Sequence, residues 1–460
     1  MSSVSIFPIL LIVIVATYMS GQHRALVSVG HNLKRLHSRP FYYGCFVALW
    51  SAVPALLLAG IWIALENRVI TSIVLSDVRD HLNDINPATL SLLSNDIRNL
   101  ATGNIIGHRP EAWLQGAADH YTQIRQTSLI SLFALVSVLV VGTYVWSRQQ
   151  VTPVFRARIA VERIIRLLLM LSSGIAILTT IGIVFSLFFE SALFFTKVPM
   201  TDFLFGLEWS PQIALRKDQV ASSGLFGAVP LLFGTLFISF IAMCVATPVG
   251  LMSAIYMAEY APSKVRNIVK PVIEILAGIP TVVYGFFAAL TVAPFFRAAG
   301  EAAGLAISSE SALVAGGVMG IMLIPFVSSL SDDIIRAVPQ SLREGSYGLG
   351  ATQSETVRQI ILPAALPGIV GSLLLALSRA IGETMIVVMA AGLTANMTVN
   401  PLKAVTTVTV QIVTLLVGDQ EFGSSKTLAA FALGLLLFFI TLGLNVIALT
   451  VVNRYREQYD

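Results

Sequence analysis

Nine apolar runs, each near or above the ~20 residues that a helix needs to cross a bilayer, constrain this chain more than anything else in its sequence. They fall at roughly 4–20, 42–65, 127–147, 167–190, 226–258, 271–296, 308–330, 364–393 and 427–452. Inside hydrocarbon the backbone must satisfy its own hydrogen bonds, so runs of this length form helices. The expectation is an all-α membrane protein with about nine transmembrane helices. Only 12% of the 460 residues are charged, about half the share of a soluble domain, too few to cover a water-facing surface of that size. The net charge of +4 sits in short loops rather than on one face, which argues against a nucleic-acid partner. Cys45 and Cys244 lie within apolar runs, and the six His residues form no metal-ligand spacing. Neither a disulfide framework, a metal site nor a cofactor is expected. The first twenty residues lack the basic flank of a signal peptide and read as an anchor.

Basic residues set the topology, because cytoplasmic loops are enriched in Lys and Arg. Arg24, Lys34, Arg35 and Arg39 follow span one, Arg148 to Arg166 follow span three, and Lys264, Arg266 and Lys270 follow span five. These loops alternate if the N-terminus is outside and the C-terminus, with Arg454 and Arg456, is cytoplasmic. The sparsely charged segment 394–426 is then an outside loop. Glu190, Glu259 and Glu274 near span ends read as loop or interface charges that reach water.

Three regions follow. Residues 1–147 form an accessory three-span region with an extracytoplasmic insert at 66–126. In that insert Ile70, Ile73, Val74, Val78, Leu82 and Ile85 recur at helical spacing until Asn86-Pro87 breaks the rhythm, and a second pattern follows through Leu92, Leu93, Ile97 and Leu100. A helical hairpin or small bundle is expected there. Residues 148–166 form a basic cytoplasmic linker, and 167–460 a six-span core. A second outside loop, 191–225, is rich in Phe, Gly and Pro. Gly227, Gly234, Gly278, Gly285, Gly316, Gly317 and Gly320 suit close helix contact, and Pro248, Pro271 and Pro280 are kink candidates in spans five and six.

The cytoplasmic stretch 331–363 has the punctuation of two short helices. Ser341-Leu342-Arg343-Glu344 and Thr352-Gln353-Ser354-Glu355 both have the form of a capping box. Gly348 and Gly350 end the first helix, and Pro363 suits the first turn of the next. Gly345, Ser346 and Gly348 are small enough to let another protein's surface approach. Val357, Ile360 and Ile361 give the second helix an apolar side. An ordinary capped loop has these features too.

Span eight carries Arg379 and Glu383 near its middle, one turn apart on one face. A centrally placed charge costs roughly 2.5–3.5 kcal/mol on insertion scales, so such residues face a bundle interior or a wet cavity. Two readings stand. Arg379 faces a conduction path and attracts an oxyanion, for which its fork is suited, while Glu383 holds it; or the two form a buried structural ion pair.

Residues 344–363 read E-G-S-x3-G-x9-I-x-L-P and resemble the EAA loop of ATP-binding cassette importer permeases. Glu344, Gly350, Ile360, Leu362 and Pro363 match, and Gly345 and Ser346 replace the two alanines. The stretch SRAIGETM around Arg379 and Glu383 is similar to phosphate-transporter permeases, as are 229–262, 277–287 and 320–339. The Ile-Pro-Phe before the loop is more like the PstC-type subunit than its PstA-type partner. The resemblance covers about 167–460. It implies a permease core of the type I importer fold, with six spans. It further implies a second, PstA-type permease subunit, two copies of a cytoplasmic ATPase and an extracytoplasmic phosphate-binding protein, working in a bacterial inner membrane. The loop residues, Ser341, Glu344, Gly345, Ser346, Gly350, Thr352, Glu355, Ile360, Leu362 and Pro363, would then face or shape the ATPase contact, and Arg379 and Glu383 the phosphate path. The sequence has no GxxxxGK[ST] phosphate loop, so no nucleotide chemistry is expected of this chain. The insert between spans two and three also fits a membrane sensor, Arg379 would serve another oxyanion equally well, and a gradient-driven transporter or channel is a third class.

Overall fold

The computed structural model describes residues 6–30, 32–78, 87–102, 112–211, 224–304, 308, 310–417 and 423–455. Leu82, Ile85, Asn86 and Arg456 lie outside the described residues. Among those described, nine helices are long and apolar enough to cross a membrane. The elements are α1 (Ile6–Val27), α2 (Pro40–Val78), α3 (Pro87–Ala101), α4 (Ala112–Gln150), α5 (Ala157–Phe195), α6 (Met200–Phe205), β1 (Trp209–Ser210), β2 (Leu225–Phe226), α7 (Val229–Ile255), α8 (Ser263–Ala277), α9 (Thr281–Phe287), α10 (Ala293–Ala302), α11 (Ala312–Ala337), α12 (Gln340–Gly348), α13 (Gln353–Thr356), α14 (Leu362–Ile381), α15 (Met385–Ala390), α16 (Val408–Leu416) and α17 (Ser425–Tyr455). The two short strands pair antiparallel. The chain divides into two compact units, 1–178 and 179–460, and α5 runs from one into the other.

The first unit is built on α1, α2 and α4. At 39 residues each, α2 and α4 are about 58 Å long, nearly twice the hydrocarbon thickness. Their excess length carries the insert between the second and third spans. There Ile70 and Val74 of α2, Ile97 of α3, and Leu114, Ala117 and Tyr121 of α4 close a small apolar core. The polar rungs at its base are paired: Trp62 Nε1 donates to Ser128 Oγ at 3.0 Å, and Ser128 Oγ donates to Glu66 Oε1 at 3.1 Å. The basic segment 148–166 is the end of α4, a turn, and the start of α5, where Arg158 pairs with Glu162 one turn on.

The core of the second unit gathers α7, α11, α14 and α15. Small residues let α7 and α11 touch. A Cβ on Gly316 would stand 2.7 Å from Ile241 Cβ, and one on Gly320 2.7 Å from Val245 Cβ. Side chains there would push the helices apart, which leaves van der Waals contact as the adhesive. Gly317, between them in sequence, faces open space.

Three wide turns interrupt these helices, at Tyr256–Tyr260, Ala288–Val292 and Val357–Ile361. Each ends two residues before a proline, Pro262, Pro294 and Pro363. Pro294 and Pro363 sit in the first turn of the helix that follows, where a missing N–H is tolerated; Pro262 stands outside the turn's helix and caps α8.

Two spans differ from the sequence expectation. The sixth starts at Thr281, not 271, because Gly278-Ile279-Pro280 breaks the chain and Pro280 caps α9; Pro271 lies in the separate helix α8. The eighth stops at Ile381, and α15 restarts only at Met385. The segment expected as an outside loop, 394–426, is buried in its middle. Residues 405–411 are all buried, and α16 begins among them. Gly234 of α7 makes room for that crossing, since a Cβ there would meet the Thr406 carbonyl oxygen at 2.1 Å.

Candidate translocation and coupling sites

Arg379 lies in the last turn of α14, and Glu383 follows the break at Gly382. They do not share a helix face, and among the described residues no ion pair joins them. Glu383 is held by a helix end instead. Arg379 sits in the last turn of α14, at the negative pole of its dipole. Glu383 turns its carboxylate onto the start of α15, where Oε1 accepts from the amides of Met385 at 3.0 Å and Ile386 at 3.4 Å. The Glu383 side chain is buried. Arg379 is exposed, and its guanidinium carbon stands 5.4 Å from the centroid of the Phe326 ring, within cation–π range. The expectation that Glu383 pins Arg379 on one helix is therefore corrected: the apolar run hides a helix break, and the guanidinium keeps its donors free of the carboxylate.

A hydroxyl chain secures this break. Thr409 Oγ1 of α16 donates to the Glu383 carbonyl at 2.8 Å and lies 2.9 Å from Thr407 Oγ1, while the Val408 amide donates to Thr235 Oγ1 of α7 at 3.0 Å. Gln411 extends it: Nε2 donates to the Leu393 carbonyl and Thr406 Oγ1, and Oε1 accepts from Trp209 Nε1 at 2.9 Å. Sequence reasoning missed these residues. The signal available was Thr407 directly before an apolar helix, the position of an N-cap, which its bond to the Val410 amide fills.

The loop after α11 is two helices, as its punctuation predicts. The Thr352–Glu355 capping box is present: the Thr352 amide donates to Glu355 Oε2 at 2.8 Å, and the Glu355 amide to Thr352 Oγ1 at 3.4 Å. Gly350 turns the chain between the helices at φ +86°, a left-handed conformation that costs glycine little. The first box is absent. Pro339 occupies the N-cap and has no side-chain cap bond, so α12 starts one residue before Ser341 and leaves that hydroxyl inside the first turn. Ser346 is also not on the open face. It is buried, with Oγ 2.9 Å from Thr356 Oγ1, which fastens α12 to α13. Ser341, Glu344, Gly345, Tyr347, Gly348 and Leu349 are the exposed side, Leu349 at 92%. A Cβ on Gly345 or Gly348 would meet nothing within 4 Å.

Inward, Val357 and Ile361 pack with Ala254, Ile335, Ala365 and Ile369; Ile360 is only half-buried. Leu362 and Pro363 open α14, so α13, the wide turn and α14 form one helical rod. From Glu355 to Arg379 it runs roughly 36 Å. The loop has a second fastening, between residues far apart in the chain. Arg343 reaches Glu259, 84 residues earlier, at 2.9 Å, and donates to the Ile335 and Val338 carbonyls. Gln353 Nε2 donates to the Glu259 carbonyl at 2.7 Å. The Glu259 side chain is 6% exposed, not a charge in open water. Just below, Asp332 of α11 is fully buried and meets Arg266 at 2.9 Å and Lys270 at 3.0 Å.

Residues 246–457 match the family model of the binding-protein-dependent transport system inner membrane component. Residues 7–179 match a second model, described as a phosphate ATP-binding cassette transporter, so the accessory region also has relatives. A probable ABC transporter permease of Bacillus subtilis, YqgH, is 34% identical over 243 residues, 52% of this chain and 74% of that one. The phosphate transport system permease protein PstC 1 of Mycobacterium tuberculosis is 35% identical over 277 residues, 55% of this chain and 81% of that one. Among solved structures, the MetNI methionine ABC transporter aligns at 21% identity and TM-score 0.36, over 49% of this chain and 94% of that chain. With relatives 34–35% identical over 74–81% of their own length, the chain belongs to the family of binding-protein-dependent transport system inner membrane components, among the PstC-type permeases.

Proposed function

We propose that the chain is the transmembrane permease subunit of an ATP-driven phosphate importer, forming half of the translocation path with a PstA-type subunit. Its accessory region is 1–147, its linker 148–166 and its core 167–460, with the N-terminus outside and the C-terminus cytoplasmic. Two copies of a separate ATPase and an extracytoplasmic phosphate-binding protein complete the assembly. The observation that carries the reading is Arg379: an exposed guanidinium at a break between two half-helices, free of Glu383, in a chain whose relatives are named as phosphate permeases. Breaks between half-helices at mid-membrane are where transporters place their substrate sites, and a guanidinium fork matches phosphate oxygens.

In this reading the chain performs no covalent chemistry. Phosphate delivered from outside enters the spans and exchanges water for the Arg379 donors. ATP binding closes the ATPase dimer and moves α12 and α13, which bear Glu344, Gly345, Gly350, Thr352 and Glu355. The rod that ends at Arg379 carries that motion to the path, and the Arg343–Glu259 bond carries it to α7. The test is uptake of inorganic phosphate by the reconstituted complex. Arg379→Ala abolishes uptake while the ATPase still co-purifies; normal uptake would reject the role. Uptake driven by an ion gradient without ATP would reject the mechanism.

A further inference from the structure

We propose that α8 (Ser263–Ala277) is a membrane-surface helix whose apolar face lies in the acyl chains of the cytoplasmic leaflet. At 15 residues it is about 22 Å long, too short to cross the ~30 Å hydrocarbon layer. None of its residues is buried. Val265, Ile268, Val272, Ile275 and Leu276 are exposed, Ile268 and Ile275 at 68% and 71%. Spacings of three and four put them on one face. The opposite side carries Arg266, Asn267, Lys270 and Glu274. A wide apolar face opposed by a charged one is the pattern of a helix lying in the interface plane.

Three observations favour lipid over a protein as the occupant. The spans on either side of α8 in the chain also expose large apolar side chains, Val249 and Met252 on α7 and Val283 and Phe286 on α9. Tyr256 and Tyr260, directly before α8, are exposed as well, and tyrosines concentrate at the membrane–water boundary. Lys264 lies at the edge of the apolar face, where a long basic side chain reaches anionic headgroups.

The polar edge is fixed to the protein. Arg266 and Lys270 bind the buried Asp332, and Lys270 binds Asp333 at 2.7 Å. The Asp333 bond holds the Lys270 ammonium above its usual pKa. Tyr284 of α9 donates to the Leu276 carbonyl at 3.1 Å and so occupies one of the free carbonyls at the end of α8. These bonds tie the end of α11, from which the α12 loop departs, to a helix resting on the bilayer. The choice of leaflet rests on the proposed function: Glu259, just before α8, is bonded to Arg343 of α12, so α8 lies at the ATPase-facing end.

The test uses the assembled transporter in lipid vesicles, with Cys45 and Cys244 replaced by serine and one cysteine introduced as Ile275→Cys or Asn267→Cys for a fluorescent label. Lipids carrying a nitroxide on the acyl chain should quench the Ile275 label several-fold more than the Asn267 label. Equal quenching at both positions overturns the proposal. So does an Ile275 label that acyl-chain nitroxides leave bright, whether aqueous iodide reaches it or a protein surface shields it. Phosphate uptake by the same vesicles reports separately on transport. Inactive vesicles with a lipid-quenched Ile275 sink the functional assignment and leave α8 at the membrane.

Discussion

Arg343 of the loop helix and Glu259 in the wide turn after α7 form an ion pair 2.9 Å long, their side chains 11% and 6% exposed. Removing one member of a buried pair strands the other, which costs about 3–5 kcal/mol. Glu259→Ala should therefore lower the thermal stability of the subunit and loosen α12. The charge swap Glu259→Arg with Arg343→Glu should recover part of the loss, and a double-mutant cycle should give a coupling energy of about 0.5–3 kcal/mol. If the pair transmits force, Glu259→Gln leaves ATP hydrolysis running while phosphate uptake per ATP falls. A strictly additive cycle would show that the pair does no joint work.

The contact of α7 with α11 makes a sharper steric prediction. Gly320→Val places a branched side chain where even a Cβ would be 2.7 Å from Val245 Cβ. Overpacking of this kind costs about 1–3 kcal/mol, and the variant should lose folded yield in detergent. Gly317→Ala meets nothing within 4 Å and is the matched control, with yield and melting temperature unchanged. Equal damage from both would mean that close approach to α7 does not set the composition of α11, since alanine is the better helix former.

The capping box at Thr352 is local enough to isolate. Thr352→Ala removes the acceptor for the Glu355 amide and should cost about 1 kcal/mol, felt in α13 and not in the distant core. Amide exchange in residues 353–357 should quicken several-fold, while exchange in α11 stays unchanged. The same variant should weaken ATPase co-purification if the loop docks there. Unchanged exchange across α13 would mean that the burial of Thr356, Val357 and Ile361 holds this helix without its cap.

What the sequence made legible follows the range of the forces involved. Spans are legible because hydrocarbon demands long apolar runs, and the Thr352 box because its partners are three residues apart. The break at Gly382 was hidden: 364–381 and 385–391 are both apolar, and only the Gly-Glu-Thr between them differs. The amphipathic rhythm of α8 is plain in Val265, Ile268, Val272 and Ile275, but a hydropathy reading merged its end into the next span despite Gly278 and Pro280. Ser341 carried the right residue for a cap, and Pro339 fixed the helix start ahead of it. Arg343 with Glu259, and Thr409 with Glu383, are 84 and 26 residues apart. Single-sequence patterns hold no information on such pairs, so these two fastenings came only from the fold.

Glu383 offers the most informative substitution near the path, because its carboxylate caps α15 and does not bind Arg379. A glutamine keeps a side-chain oxygen that can accept from the Met385 and Ile386 amides, whereas alanine removes it and leaves the start of α15 uncapped. Loss of an N-terminal acceptor costs about 0.5–2 kcal/mol, and here it would also relax the turn that sets the height of Arg379. Glu383→Gln should therefore retain more phosphate uptake than Glu383→Ala, with the same ranking in melting temperature. A requirement for the negative charge itself, as in an ion pair that forms only when the path opens, predicts the opposite: both variants lose uptake equally although Gln preserves stability. That result would return Glu383 to partnership with Arg379 in a conformation other than the one described.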